Sequence, residues 1–236
     1  MPDAGWFSPC DEAAATCRVL CLPGLGAGAA VFTGLARRAP AGAAVRGVRV
    51  PGRESRIGQP PIHDFAELTE RLTGAVAALP PAPTILLGHC LGGLVQFEVA
   101  RALRRRGHDL REVWVIGHPG PGGAVKFPAD DPLGVYQALV APPPEILRSP
   151  GLLDLVLRGV RADLDVANSY TPASHVPLDR PVRLFAGSDD PQLPGGDLTG
   201  WAGHAGAGLE VHPYRGDHRF AGAEPAVLAL LRRLPS

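Results

Sequence analysis

Three side chains along this 236-residue chain have the types needed for acyl transfer: Cys90, Asp190 and His218. In such chemistry a thiolate attacks a carbonyl, an imidazole moves the proton, and a carboxylate fixes the imidazole tautomer. Cys90 stands in Gly88-His89-Cys90-Leu91-Gly92-Gly93, behind the apolar run Thr84-Ile85-Leu86-Leu87 and ahead of a strongly helical stretch from Leu94 to Arg106. Strand, Gly-x-nucleophile-x-Gly and helix make a nucleophile elbow. The turn is so tight that the residues two before and two after the nucleophile must lack bulky side chains. At a helix N-terminus the dipole and a nearby imidazole favour thiolate over thiol. A buried, inert cysteine at a helix start is the plain alternative; paired glycines in this strand-turn-helix context argue against it.

The acid candidate is Asp190 in Gly187-Ser188-Asp189-Asp190-Pro191, directly after an apolar run ending at Ala186. Loops at strand carboxyl ends are where open α/β sheets place ligands. An Asx turn before proline would use the same residues, and Asp189 is the weaker choice. His218, in Gly216-Asp217-His218-Arg219-Phe220, follows the last strand signal and completes the order nucleophile, acid, histidine. His89, inside the elbow, is expected to pack or contact substrate, and His118 to line the pocket. His63, His108, His175 and His204 look like surface loop residues, and His212 belongs to a strand. The oxyanion hole is expected from the amide of Leu91, after the nucleophile, and that of Leu25 in Pro23-Gly24-Leu25-Gly26. A phosphate-cradling reading of that glycine-rich turn is weak, because no Gly-Lys-Ser/Thr ending follows.

These residues need a scaffold of strands that end in loops. Strands are expected at residues 18–22, 45–50, 85–87, 113–116, 182–186 and 209–212, and helices at 31–38, 65–76, 94–106 and 224–231. Asp64 is a plausible N-cap, and Pro225 falls in the first turn of the closing helix. Alternating strands and helices imply an α/β fold with a mostly parallel, doubly wound sheet. The segment 122–178 carries short helical pieces between proline clusters and reads as a lid inserted over the strand ends of a single domain, 1–236. Residues 1–15 read as a loosely ordered lead-in.

Composition removes several alternatives. Basic and acidic residues balance at 23 each, so nucleic acid is not an expected partner. No apolar run reaches the roughly 18 residues a membrane span needs, and no signal-peptide pattern opens the chain, so a cytoplasmic protein is expected. The four cysteines show no paired Cys-x-x-Cys metal pattern, and neither a metal nor a bound cofactor is expected. Cys17 and Cys21 lie an even number of residues apart on one strand and read as buried structural residues.

With these motifs in place the chain resembles the type II thioesterases. These are stand-alone α/β-hydrolases of polyketide and nonribosomal peptide pathways that remove acyl groups from the phosphopantetheine arm of carrier proteins. Leu22-Pro23-Gly24-Leu25-Gly26-Ala27 takes the place of the family's first glycine loop, with Gly24 where an aromatic or histidine is usual. Pro51-Gly52-Arg53-Glu54-Ser55-Arg56, the elbow helix, Arg161-Ala162-Asp163 with Tyr170, Asp190-Pro191 and Gly216-Asp217-His218 are similar to family stretches in the same order. Synthetase-fused thioesterase domains usually carry the acid after the strand that follows the elbow; Gly117-His118-Pro119 offers no carboxylate there.

The resemblance implies an α/β-hydrolase fold, a Cys90–His218–Asp190 triad with an acyl-cysteine intermediate, an acyl or peptidyl carrier protein as partner, and hydrolytic release. Cys90 stands where the family usually has serine. A cysteine acyl-enzyme is itself a thioester and favours amines over water, so transfer to an amine or ring closure is the alternative, with a small-molecule acceptor. Action on esters or lactones, and a non-catalytic carrier-protein-binding role, are the further readings.

Overall fold

The computed structural model describes residues 5–123, 125–172, 176–193 and 196–234. Six strands form one sheet: β1 (Cys17–Leu22), β2 (Ala43–Gly47), β3 (Thr84–His89), β4 (Glu112–Ile116), β5 (Val182–Gly187) and β6 (Leu209–Tyr214). Their order is β2-β1-β3-β4-β5-β6, and every pairing is parallel. The chain moves outward from β1 to β2, then crosses back to lay β3 on the other side of β1. The crevice at that reversal, outside the carboxyl ends of β1 and β3, is where such sheets hold ligands.

The central strands are buried on both faces, so they read as continuous apolar runs rather than as alternation. Alternate residues nonetheless go to different cores. Leu20, Leu22, Leu86, Val113 and Val115 pack with α2 (Phe65–Ala77) and α3 (Leu91–Arg105). Cys17, Val19, Cys21, Ile85, Leu87 and Trp114 pack on the opposite face with α1 (Thr33–Arg38) and α7 (Phe220–Leu231). Cys17 and Cys21 thus share one face as free, buried thiols. Asp64 caps α2 by accepting the Glu67 amide at 2.8 Å, where an unsatisfied N–H would otherwise remain.

Between β4 and β5 lie α4 (Pro132–Val140), α5 (Pro144–Arg148) and α6 (Pro150–Ser169). They have an apolar cluster of their own, Val135, Tyr136, Leu139, Leu157, Val160 and Leu164, joined by Leu25 from the loop after β1. Among the described residues no helix is long and apolar enough to cross a membrane.

Several expected boundaries shift. Residues 5–15 are not a loose lead-in: Trp6 and Phe7 are buried, Phe7 bridges Val48, and Arg56 lies over the Trp6 ring. Strand β2 spans 43–47 rather than 45–50, and Val48 beyond it both donates to the Cys21 carbonyl at 2.8 Å and bridges Phe7. Helix α6 is no short piece but runs 20 residues, because Val166 and Ala167 reach the main core. Helix α7 starts at Phe220, whose burial against Phe32 extends it backward, and this puts Pro225 inside the helix instead of in its first turn.

Candidate active site

The elbow after β3 forms because three groups leave no room for side chains. A Cβ on Gly88 would overlap the Gly92 carbonyl, and one on Gly92 would overlap the carbonyls of Leu22 and Pro23. Cys90 takes the strain of the turn, with φ 51° and ψ −126°, a conformation rare for a residue with a side chain. The Cys90 amide donates to the Ile116 carbonyl at 2.7 Å, tying the apex to β4. Cys90 caps α3 with its carbonyl, which accepts from the Gly93 amide at 2.8 Å. Its side chain therefore projects at the mouth of the sheet, beside the crevice.

Asp190 and His218 arrive from loops after β5 and β6. His218 Nδ1 lies 2.9 and 3.0 Å from the two Asp190 oxygens, and both side chains are almost wholly buried. The Gln192 amide donates to Asp190 Oδ1 at 2.8 Å, which fixes the carboxylate. With Nδ1–H given to Asp190, the Nε2 edge has no nitrogen or oxygen partner and faces the chemistry. Burial works against a charged His218, yet the hydrogen bond with Asp190, and attraction to Cys90 and Asp190, push its pKa up to about 10. The three residues are brought together as an imidazole held between a carboxylate and a thiol.

His89 and His118 flank this group in neutral form. Burial, followed by repulsion from His218, pushes His89 down to about 4 and His118 to about 3. His89 Nε2–H donates to the His218 carbonyl at 2.6 Å, and the two rings are 5.0 Å apart, so His89 braces the main chain of the base. His118 Nδ1 accepts the Gly120 amide at 3.0 Å, and its carbonyl accepts from Trp201 Nε1 at 3.0 Å.

A cleft of about 200 Å³ opens on Cys90, lined by His89 and His218 and by apolar Leu25, Val31, Leu139, Val140 and Phe220. Leu139 and Val140 come from α4, so the segment between β4 and β5 forms one wall. A smaller cavity, lined by Leu91, Leu94, His118 and Phe127, also reaches Cys90.

Two amides are free to act as donors here. Leu91 carries the first N–H of α3, which no helix carbonyl can accept. The Leu25 N–H makes no hydrogen bond among the described residues. Gly24, next to it, lies so close that a Cβ there would be 2.9 Å from His89 Nδ1 and 3.1 Å from Cys90 Cβ. That contact accounts for glycine at a position where the resembling family has a larger residue.

Sequence reasoning named Arg53 and Asp163 only as matched stretches and gave them no task. In the fold they meet, with Arg53 Nη2 2.5 Å and Nη1 2.9 Å from the two Asp163 oxygens, both side chains nearly buried. They are 110 residues apart, so no spacing signal could join them. Of the remaining histidines, His63 is exposed and pairs with Asp165, and His108 is at the surface. His204 is half-buried against the Phe97 ring rather than a surface loop residue, since its loop folds under α3. His212 lies in β6, stacked on Phe185, and His175 lies outside the described residues.

Known proteins resemble this chain over most of its length. The family model for the thioesterase domain matches residues 17–235. Thioesterase PikA5 of Streptomyces venezuelae is 30% identical, with 91% of this chain and 78% of that protein covered. The gramicidin S biosynthesis protein GrsT of Aneurinibacillus migulanus is 26% identical, covering 91% and 87%. Among solved structures, the RedJ thioesterase from the prodiginine biosynthetic pathway in Streptomyces coelicolor superimposes with a TM-score of 0.83 at 27% identity, covering 95% of this chain and 88% of that one.

Proposed function

The chain belongs to the thioesterase domain family of α/β-hydrolase enzymes, and from that premise we propose that it releases acyl groups from the phosphopantetheine thiol of a carrier protein through an acyl-Cys90 intermediate. The observation that carries the reading is the Cys90–His218–Asp190 arrangement at the mouth of an apolar cleft. Relatives and structural neighbours named for thioesterase activity and for gramicidin S and prodiginine biosynthesis support a role in nonribosomal peptide or polyketide pathways.

The chemistry follows from the charges. His218 holds a proton at neutral pH beside the Cys90 sulfur, so an imidazolium stands ready next to the nucleophile. The sulfur attacks the thioester carbonyl, and the Leu25 and Leu91 amides receive the oxyanion. Collapse breaks the carbon–sulfur bond to pantetheine, and the departing thiolate takes the proton from His218 Nε2. Acylation also removes the attraction to the Cys90 sulfur that helped hold that proton, which lowers the imidazole's affinity for it. The neutral imidazole then draws a proton from water, the hydroxide adds to the acyl-cysteine carbonyl, and the Cys90 thiolate leaves. Asp190 keeps the tautomer that makes both transfers possible. No cofactor enters these steps.

Cys90 itself supports a second reading. Loading a thiol from a thioester is nearly isoenergetic, and the resulting acyl-cysteine hands its group to amines in preference to water. Intact masses of enzyme and acyl-loaded carrier protein, with and without amines, test both. Release of free acid with no lasting mass gain on the enzyme supports hydrolysis. An adduct on Cys90 discharged only by an acceptor supports transfer, and an acyl carrier left untouched sinks both.

A further inference from the structure

We propose that Arg53 and Asp163 are positioning residues that aim the Leu25 amide at the reacting carbonyl, making α6 and the loop after β1 one mechanical unit. The inference rests on the reading of Cys90 as the nucleophile. That loop, residues 23–28, belongs to neither strand nor helix, so the sheet does not fix its peptide planes. The Ala27 amide donates to the Gly24 carbonyl at 3.1 Å and closes a turn over Leu25 and Gly26, and side chains from elsewhere hold that turn in place. The Gly26 amide donates to Asp163 Oδ2 at 2.7 Å, and the Ala27 carbonyl accepts from Arg53 Nη1 at 2.9 Å. The same Arg53 nitrogen reaches Asp163 Oδ2 at 2.9 Å, closing a ring of contacts around the stretch from the Gly26 amide to the Ala27 carbonyl. Glu54, the neighbour of Arg53, accepts the Ala29 and Ala30 amides at 2.9 Å each and holds the far end.

Leu25 is pinned from its other side by apolar contact. Its side chain is buried among Tyr136, Leu139, Val160 and Leu164 of the inserted helices. The peptide after Leu25 is thus fixed by a buried bidentate ion pair and its side chain by packing, while its own N–H makes no hydrogen bond among the described residues and Leu25 lines the cleft. Bidentate arginine–carboxylate pairs give directional as well as energetic control, which suits aiming a dipole. Arg53 and Asp163 line neither cavity that reaches Cys90, so their action on the reaction passes through the loop. A tilted donor is a lost donor, because oxyanion stabilisation depends on placement within a few tenths of an ångström.

Asp163→Asn and Arg53→Lys keep size and polarity but break the two-point contact. With a short-chain acyl N-acetylcysteamine thioester, each is expected to lower kcat about 10- to 100-fold with KM little changed, a sizeable part of the 10²–10³ that one oxyanion donor supplies. The rate of Cys90 alkylation by iodoacetamide should stay at the wild-type value, because displacement of iodide develops no oxyanion. The double variant should lose no more than the worse single one, since both remove one contact. Unchanged kcat in folded variants overturns the proposal, as does a kcat loss matched by an equal loss of alkylation, which would mean a disturbed elbow. A wild-type enzyme inert to both thioester and iodoacetamide would overturn the thiol mechanism itself, and this proposal with it.

Discussion

With Cys90 as the proposed nucleophile, the sulfur bears on how the second step of the reaction proceeds. With serine the acyl-enzyme is an oxygen ester that water cleaves readily, whereas with cysteine the leaving group of the second step is as good as that of the first. The substitution Cys90→Ser isolates this difference, because the elbow glycines and the Asp190–His218 pair are untouched by it. If hydrolysis is the native task, the serine variant keeps or gains steady-state release of free acid from an acyl thioester. If transfer is the native task, amine-dependent product disappears while free acid takes its place, or the variant is dead. Product analysis with an amine present separates the two. Serine also removes the attraction to the Cys90 sulfur, so the imidazole's pKa in the variant is displaced downward from about 10 while the Asp190 hydrogen bond continues to support its proton.

Among the elements, α7 holds a contradiction between sequence and fold. Pro225 has no N–H to give to the Ala221 carbonyl, yet the helix runs from Phe220 to Leu231 because Phe220, Ala223 and Val227 are buried against the sheet. Pro225 itself is exposed. Pro225→Ala restores one backbone hydrogen bond at no packing cost and should stabilise the protein by about 1 kcal/mol or more. A urea midpoint that fails to rise would mean the proline is part of how α7 seats. The same helix shows where reading the chain succeeds and stops. The elbow was legible because strand, glycines and helix are contiguous, and Asp190 and His218 because each directly follows a strand. Helix starts and strand ends set by distant packing were not: Phe220 meets Phe32, and Phe7 meets Val48, across intervals that no local pattern spans. The Arg53–Asp163 pair was hidden for the same reason, each half visible as a motif and the contact visible only in the fold.

At the scale of the molecule, three buried histidines around one site shape the pH dependence of stability. His218 holds its proton up to about 10 in the fold, against about 6.5 in an unfolded chain, so it stabilises the protein below pH 6.5 and that contribution is lost as pH rises toward 10. His89 and His118 act in the opposite sense. Burial keeps them neutral down to about 4 and about 3, so below pH 6.5 the unfolded chain takes up protons that the native state refuses. Stability should therefore peak near pH 6.5 and fall toward pH 5 with a slope of about 1.4 kcal/mol per pH unit for each of the two histidines. That window lies above the ordinary carboxylate range, so the slope belongs to imidazoles. His118→Asn tests the assignment, because an asparagine oxygen can accept the Gly120 amide as Nδ1 does while having nothing to titrate. Urea unfolding between pH 5 and pH 6.5 should show the variant's slope reduced by about half, with the alkaline limb from His218 retained. Parallel slopes for variant and wild type would mean that His118 takes up its proton without unfolding. The neutral histidines around Cys90 would then have an open path to solvent, which their burial opposes. An acid-sensitive fold built on the site's own imidazoles ties the stability of the whole chain to the charge state in which the centre is competent: one imidazolium facing the thiol, with neutral neighbours on either side.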